Sequence, residues 1–141
     1  MNYIVALSPN GEGGWIAQFP DVPEAITEGA SRQEALSNAA DALEVALLGR
    51  MKDGEDLPKA QPAPGKAADH VTLSAQAAAK LAFYEAFRNS GLSRSALARK
   101  IGKDEAEVRR MLDPHHATKL PALDEAIRAM GQRLTLALED A

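Results

Sequence analysis

The sequence predicts an α+β protein in two parts, a small β-β-β-α domain followed by an all-helical one. Three observations carry that reading. Residues 3–29 alternate apolar and polar positions and are broken by Gly and Pro. A capped amphipathic pattern then starts at Ser31. From Ser74 onward, apolar residues recur at spacings of three and four between Gly stops.

Each element has its own local cause. Tyr3–Leu7 is apolar enough for a strand, and Ser8–Gly14 is dense in turn formers. Trp15–Phe19 reads as a second strand with Trp15, Ala17 and Phe19 on one face, so the pair forms a hairpin. Phe19, a bulky aromatic facing the helix stripe, is expected in the core. Pro20 and Pro23 are expected to end that strand, because proline cannot donate to a ladder. Ala25–Gly29 is a short third strand. Ser31 and Glu34 form a capping-box pair, and Leu36, Ala39, Ala40, Leu43, Ala46 and Leu47 make the stripe of a helix that Gly49 should end. Residues 57–69 contain Pro58, Pro62, Pro64 and Gly65 and read as a linker between a domain at 1–56 and one at 74–141. Residues 70–73 are either a strand returning to the first sheet or the lead-in to the next helix. Four helices follow: Ser74–Asn89, Ser93–Ile101, Asp104–Leu112 and Lys119–Met130. Arg133–Leu138 alternates and reads as a last strand.

Composition narrows the function. The chain has 141 residues, 26% of them charged, and no cysteine, which excludes disulfides, thiolate metal sites and cysteine nucleophiles. No apolar run approaches a membrane span, and the N-terminus lacks the basic region of a signal peptide, so a cytoplasmic location is expected. The formal net charge of −4 hides a split. Residues 1–60 hold four Lys/Arg against ten Asp/Glu, and residues 61–141 hold twelve against ten. Between Arg88 and Lys119 there are eight Lys/Arg against four acids. An acidic front and a locally basic back suit different partners.

The basic segment carries the clearest motif. Two helices of eight or nine residues, joined by a short turn at Gly102, match the layout of a helix-turn-helix. In that motif the start of the second helix meets base edges. Lys103, Glu105 and Arg109 are the expected base readers, with Arg110 beside them. Glu107 is expected to act mainly as a capping partner of Asp104, although both glutamates have the acceptor that a cytosine amino group needs. Ser93 and Arg94 sit where a helix start holds phosphate. Residues 92–131 resemble the helix-turn-helix domains of bacterial repressors in Leu92-Ser93-Arg94, Leu97–Gly102, Val108–Leu112 and Leu123–Gly131. Repressors of this kind work as homodimers or higher homo-oligomers, and Arg133–Leu138 is expected to pair between chains.

In the front half, Asp21, Glu24, Glu28 and Asp41 could suggest a metal-dependent nuclease. Such a site needs carboxylates that converge, and here Asp21 and Glu24 fall in a Pro-bounded loop while Asp41 falls at the solvent edge of its helix. The adjacent His115 and His116 diverge on any regular element. No catalytic triad order, P-loop or dinucleotide glycine pattern is present, so no enzyme, cofactor or metal is expected.

Gly14-Trp15 before Phe19-Pro20-Asp21-Val22-Pro23, then Thr27-Glu28-Gly29 leading to Glu34-Ala35, and Leu57-Pro58 further on, make a fairly specific combination. In these the chain resembles the HicB-type antitoxins of HicA–HicB toxin–antitoxin systems. The resemblance implies a partial RNase H-like β-β-β-α-β domain without the nuclease acids. That domain would cover the active site of a small RNA-cleaving, HicA-like toxin. A second domain would bind operator DNA and repress the operon. Some members of the family carry a ribbon-helix-helix domain instead, but the run of four helices argues for helix-turn-helix. The toxin contacts are expected on the hairpin and its loop, at Trp15, Gln18, Asp21 and Glu24, with Glu28 nearby, since an acidic surface suits a basic partner. Trp15 has two placements open to it, the sheet–helix core or the partner surface. The competing function is a free-standing transcriptional regulator whose first domain senses a small ligand.

Overall fold

The computed structural model describes residues 1–60 and 69–140. The chain divides into two compact units, Met1–Ala77 and Ala78–Ala141. The first holds a three-stranded sheet covered on one face by a helix, with a separate two-stranded pairing. The second is all helical, so the molecule is α+β as the sequence predicts.

The first unit runs β1 (Asn2–Ile4), β2 (Ala6–Pro9), β3 (Trp15–Phe19), β4 (Val22–Gly29), α1 (Arg32–Lys52) and β5 (His70–Thr72). β2, β3 and β4 form an antiparallel sheet in that order. β1, one residue upstream of β2, pairs antiparallel with β5, and Val5 N–H donates to the Asp69 carbonyl at 3.1 Å. The stretch at 70–73 is therefore a strand that returns to the first unit. The Pro58 carbonyl accepts from the Tyr3 hydroxyl at 3.0 Å, which ties the start of the predicted linker to β1. Residues 61–68 of that linker lie outside the described residues.

Two boundaries depart from the sequence reading. Pro23 does not end strand structure but lies inside β4, which starts at Val22 rather than Ala25. β4 is a sheet edge, and the register shifts between Gln18 and Phe19, so a residue without an N–H is accommodated there. Gly49 does not end α1, which continues to Lys52. The buried line is Ala35, Ala39, Leu43, Leu47 and Met51, spaced by four throughout, and it passes straight across Gly49. A mid-helix glycine costs about 1 kcal/mol, whereas burying a Met side chain returns about 1.5–3 kcal/mol. The helix stops at Asp53–Gly54, where Gly54 N–H donates to the Met51 carbonyl at 3.2 Å.

The Glu-Gly and Glu-Ala motif has a packing cause. β4 ends at Gly29 against the first turn of α1. A Cβ on Gly29 would meet the Ala35 backbone N and lie 2.8 Å from Ala35 Cα, so only glycine fits. Ser31 Oγ accepts from Glu34 N–H at 3.1 Å and caps the helix, as the sequence predicts.

The second unit holds α2 (Ala75–Ser90, which starts just before the division), α3 (Arg94–Ile101), α4 (Glu105–Leu112) and α5 (Leu120–Ala129). Its core joins Phe83, Leu97, Val108, Met111, Leu123 and Ile127. Arg133–Leu138 forms no strand: residues 132–140 have no regular structure and join neither sheet. In a single chain the segment has no neighbouring strand edge to supply ladder hydrogen bonds, and alternation alone does not make a strand.

Candidate functional site

The helical unit presents α3 and α4 as a pair built by local rules. Ser93 Oγ accepts from Ala96 N–H at 3.0 Å and starts α3. Gly102 ends it at φ 68°, ψ 31°, a left-handed conformation that glycine enters without strain. Asp104 then caps α4, its Oδ1 accepting from Glu107 N–H at 2.9 Å. Leu97, Ala98, Val108 and Met111 face the core, which leaves Ser93, Arg94, Lys103, Arg109 and Arg110 exposed.

The acids on α4 are committed to arginines. Glu105 takes Arg109, four residues on, and also Arg94 of α3 at 3.4 Å. Glu107 takes Arg110 at 2.5 Å. Hydrogen bonding from Arg109 holds the Glu105 carboxyl below its ordinary pKa, and the same bond raises the pKa of Arg109. Arg110 is raised in the same way by Glu107. One carboxylate therefore bridges the starts of the two short helices. The sequence reading placed Glu105 among the base readers and gave no sign of this bridge. The one signal available was the i, i+4 spacing of Glu105 and Arg109.

A buried lysine fixes the far end of α4. Lys80, on α2, is 4% exposed. Its Nζ donates to Thr118 Oγ1 at 2.9 Å and to the His116 carbonyl at 3.0 Å, and reaches the Arg110 carbonyl at 3.4 Å. Burial pushes its pKa down to about 8, with the charge of Asp113 opposing. Sequence reasoning missed this residue, because a lysine on a helix is ordinarily a solvated one.

In the β-rich unit, α1 packs on one face of β3 and β4, burying Ala17, Phe19, Val22 and Ala25. The other face carries two cross-strand rows. Ala6, Gln18 and Ile26 form one, and Ser8, Ile16 and Glu28 the other. Ile26, on the edge strand of that face, is 58% exposed. Gln18 and Glu28 thus share a surface. Trp15 does not join them: by alternation it lies with Ala17 and Phe19 on the helix side, half-buried. Asp21 is exposed in the turn between β3 and β4. Glu24 is held by Arg50 of α1 through two bonds of 2.5 and 3.0 Å, and this pairing lowers its pKa. Asp41 is exposed on α1, away from those strands in sequence and in its solvent-facing position. Among the described residues no group of three or more His, Asp or Glu is placed to hold a metal ion, and no helix is long and apolar enough to cross a membrane.

Comparison with known proteins identifies the family of the chain. Residues 2–82 match the family described as HicB_like antitoxin of bacterial toxin-antitoxin system. Antitoxin HicB of Escherichia coli (strain K12) is 38% identical over 98% of this chain and 99% of its own length. Antitoxin HicB 1 of Photorhabdus laumondii is 38% identical over 99% of this chain and 88% of its own length. Antitoxin HicB of Pseudomonas fluorescens is 31% identical over 96% and 94%. These relatives are antitoxins, not enzymes, and a match of this identity and coverage extends through both units. The chain therefore belongs to the HicB-like antitoxins of bacterial toxin–antitoxin systems.

Proposed function

We propose that the chain neutralises a small RNA-cleaving, HicA-like toxin through Met1–Ala77 and represses its own operon through Ala78–Ala141, acting as a cytoplasmic homodimer or higher homo-oligomer. The observation that carries the DNA half is the pair α3–α4. Two capped helices of eight residues each turn at a left-handed Gly102 and bring to solvent Arg94 at the start of α3, Lys103 in the turn, and Arg109 and Arg110 in the last turn of α4. This supports a helix-turn-helix with α4 as the recognition helix. Arg94 and Ser93 serve the phosphates, while Lys103 and Arg109 serve base edges.

The toxin half is supported by the uncovered sheet face of the first unit, which we read as a partial RNase H-like fold used for cover instead of catalysis. Ile16 and Gln18 on its central strand and Ile26 and Glu28 on its edge strand give it a mixed apolar and polar surface, a composition suited to binding another protein. Asp21, at the turn, adds negative charge suited to a basic RNA-binding partner.

The test is co-expression. A short basic reading frame next to this gene is expected to encode the toxin, and the chain is expected to restore growth when both are induced. Ile26→Arg is expected to abolish rescue while the chain still shifts its own promoter DNA in a gel. Rescue unchanged by Ile26→Arg and by Gln18→Arg would move the toxin off this face. If promoter DNA is not shifted under any salt condition, the repressor half is wrong.

A further inference from the structure

A buried cation grips the end of α4 from beneath. Lys80 sits on α2 between Ala79 and Leu81, both buried, and is itself 4% exposed. An ammonium group has three protons to give. Here Nζ meets three acceptors: Thr118 Oγ1 at 2.9 Å, the His116 carbonyl at 3.0 Å and the Arg110 carbonyl at 3.4 Å. A lysine ordinarily keeps its head in water, so this burial needs a cause.

The acceptors supply one. The Arg110 carbonyl belongs to the last turn of α4 and also takes Asp113 N–H at 3.1 Å. The His116 carbonyl and Thr118 lie in the turn that leads to α5. One side chain therefore ties the end of α4 to α2 and to the turn that follows. Its positive charge suits the negative end of a helix. α4 is otherwise held in the core by Val108 and Met111, and apolar contact has no direction. Hydrogen bonds do have direction, so they set how far α4 is rotated and how far it slides along its axis. Arg109 and Arg110 stand on the gripped turn, and their reach into solvent is set from below.

The grip extends through a hydroxyl. Thr118 is 3% exposed. Its Oγ1 accepts from Lys80 and lies 3.0 Å from His116 Nδ1. An ammonium on the oxygen turns the hydroxyl proton away from itself and toward an acceptor, which a neutral imidazole offers. In that order Nδ1 accepts and the ring proton stays on Nε2.

We propose that Lys80 is a positioning residue for sequence-specific DNA binding, setting the pose of α4 through its three acceptors and holding His116 in the Nε2-protonated tautomer. The role in DNA binding rests on α4 being the recognition helix. Base contacts depend on the pose of that helix far more than phosphate contacts do.

The test titrates the full chain with promoter DNA and with a random duplex of the same length. Lys80→Met keeps the stem and removes the donors. It is expected to lower affinity for promoter DNA about tenfold, the scale of one spoiled base pair, and for random DNA less than about twofold. A lysine that served stability alone would cost both DNAs the same fraction of active protein. Equal losses therefore overturn the proposal, and so does no loss. Thr118→Val removes one acceptor and leaves the cation, which covers the case in which Lys80→Met does not fold. It is expected to lower promoter affinity about two- to fivefold, and Thr118→Ser, which keeps the hydroxyl, to bind as the wild type does. Thr118→Ser as weak as Thr118→Val overturns the role of the hydroxyl. Nitrogen NMR of the histidine rings at about pH 7.5 needs no DNA. It is expected to show His116 protonated on Nε2, and to change at His116 but not at His115 in Thr118→Val. A proton on Nδ1 overturns the relay through Thr118. A wild type with no preference for promoter DNA overturns the base-reading role of α4 and leaves the NMR result standing, so the two failures are separable.

Discussion

In Met1–Ala77 the first turns of α1 meet the end of β4 through alanines, Ala35 and Ala39, and a glycine on the strand side, before the buried line passes to Leu43, Leu47 and Met51. In Ala78–Ala141 the helices meet through Phe83, Leu97, Met111, Leu123 and Ile127. The first contact is held by closeness of backbones and the second by volume of side chains. The difference shows in the partner surfaces too. The sheet offers Ile16, Gln18, Ile26 and Glu28 fixed by strand register, and the helices offer long arginines held by glutamates. A β-rich layer with one helix gains rigidity from close approach, so its weak point is any added atom. A small helical core gains stability from bulk, so its weak point is any atom removed.

Opposite changes in volume are the strongest way to break that contrast. Phe83 is fully buried and stacks on Phe87 with ring centroids 6.4 Å apart. Phe83→Ala is expected to cost about 3–5 kcal/mol in the helical unit, by lost burial and a residual cavity. Gly29→Ala adds one methyl group, yet it is expected to cost about 3 kcal/mol in the first unit, because the obstacle is the Ala35 backbone and not a side chain that can turn. Urea unfolding followed by circular dichroism measures both. A loss below about 1 kcal/mol for Gly29→Ala would mean that the strand end slides, and the contrast between the units would lapse.

Lys80 sharpens the contrast, since among the described residues only the helical unit carries a buried cation on its own backbone carbonyls. Its pKa in the folded chain is about 8, below the ordinary lysine value of 10.5. Between those values the unfolded chain binds the proton more tightly than the folded one. The contribution of Lys80 to stability therefore rises as the pH climbs from about 8 toward 10.5, and is level below that window. Other groups titrate there as well, so the measure is the difference between wild type and Lys80→Met across the window. The variant is expected to lose about 1–3 kcal/mol at neutral pH, from acceptors left without their donor, and to lose the rise. Parallel curves for the two proteins would show that Lys80 is not held as the structure has it.

How much of this could be read from residues follows the same division. The caps at Ser31, Ser93 and Asp104 were legible because a capping bond joins residues three apart. The α3–α4 pair was legible because Gly102 and the apolar spacing are local. Gly49 was misread because propensity is local, whereas the buried line through Leu47 and Met51 is set by the sheet beneath it. Pro23 was misread because edge and centre strands look alike until pairing is known. Trp15 fell on the helix side with Ala17 and Phe19, a grouping visible in the alternation, but its half-burial was not. Lys80 gave no signal, since its acceptors lie 30 to 38 residues away. Of the proposed surfaces, the shared face of Gln18 and Glu28 needed the strand register, which depends on turn geometry as well as on pattern.

The smallest expected effect separates two roles for one carboxylate. Glu105 bridges Arg94 and Arg109 in the free chain. If it acts as their internal counter-anion, any DNA phosphate must displace it, and binding to every sequence is weakened alike. Glu105→Gln is then expected to raise affinity for random DNA roughly two- to fivefold, the range of an exposed ion pair, and to steepen the salt dependence by up to about one unit. Arg109→Ala serves as the reference, with a loss of about tenfold or more on operator DNA. If Glu105 instead accepts from a cytosine amino group, Glu105→Gln lowers operator affinity and leaves random DNA unchanged, since a base contact carries sequence information and a phosphate contact does not. Titrations of both DNAs at two salt concentrations distinguish these outcomes. A helix that holds its arginines this way limits non-specific binding by its own charge, whereas the sheet of the first unit must limit it by shape.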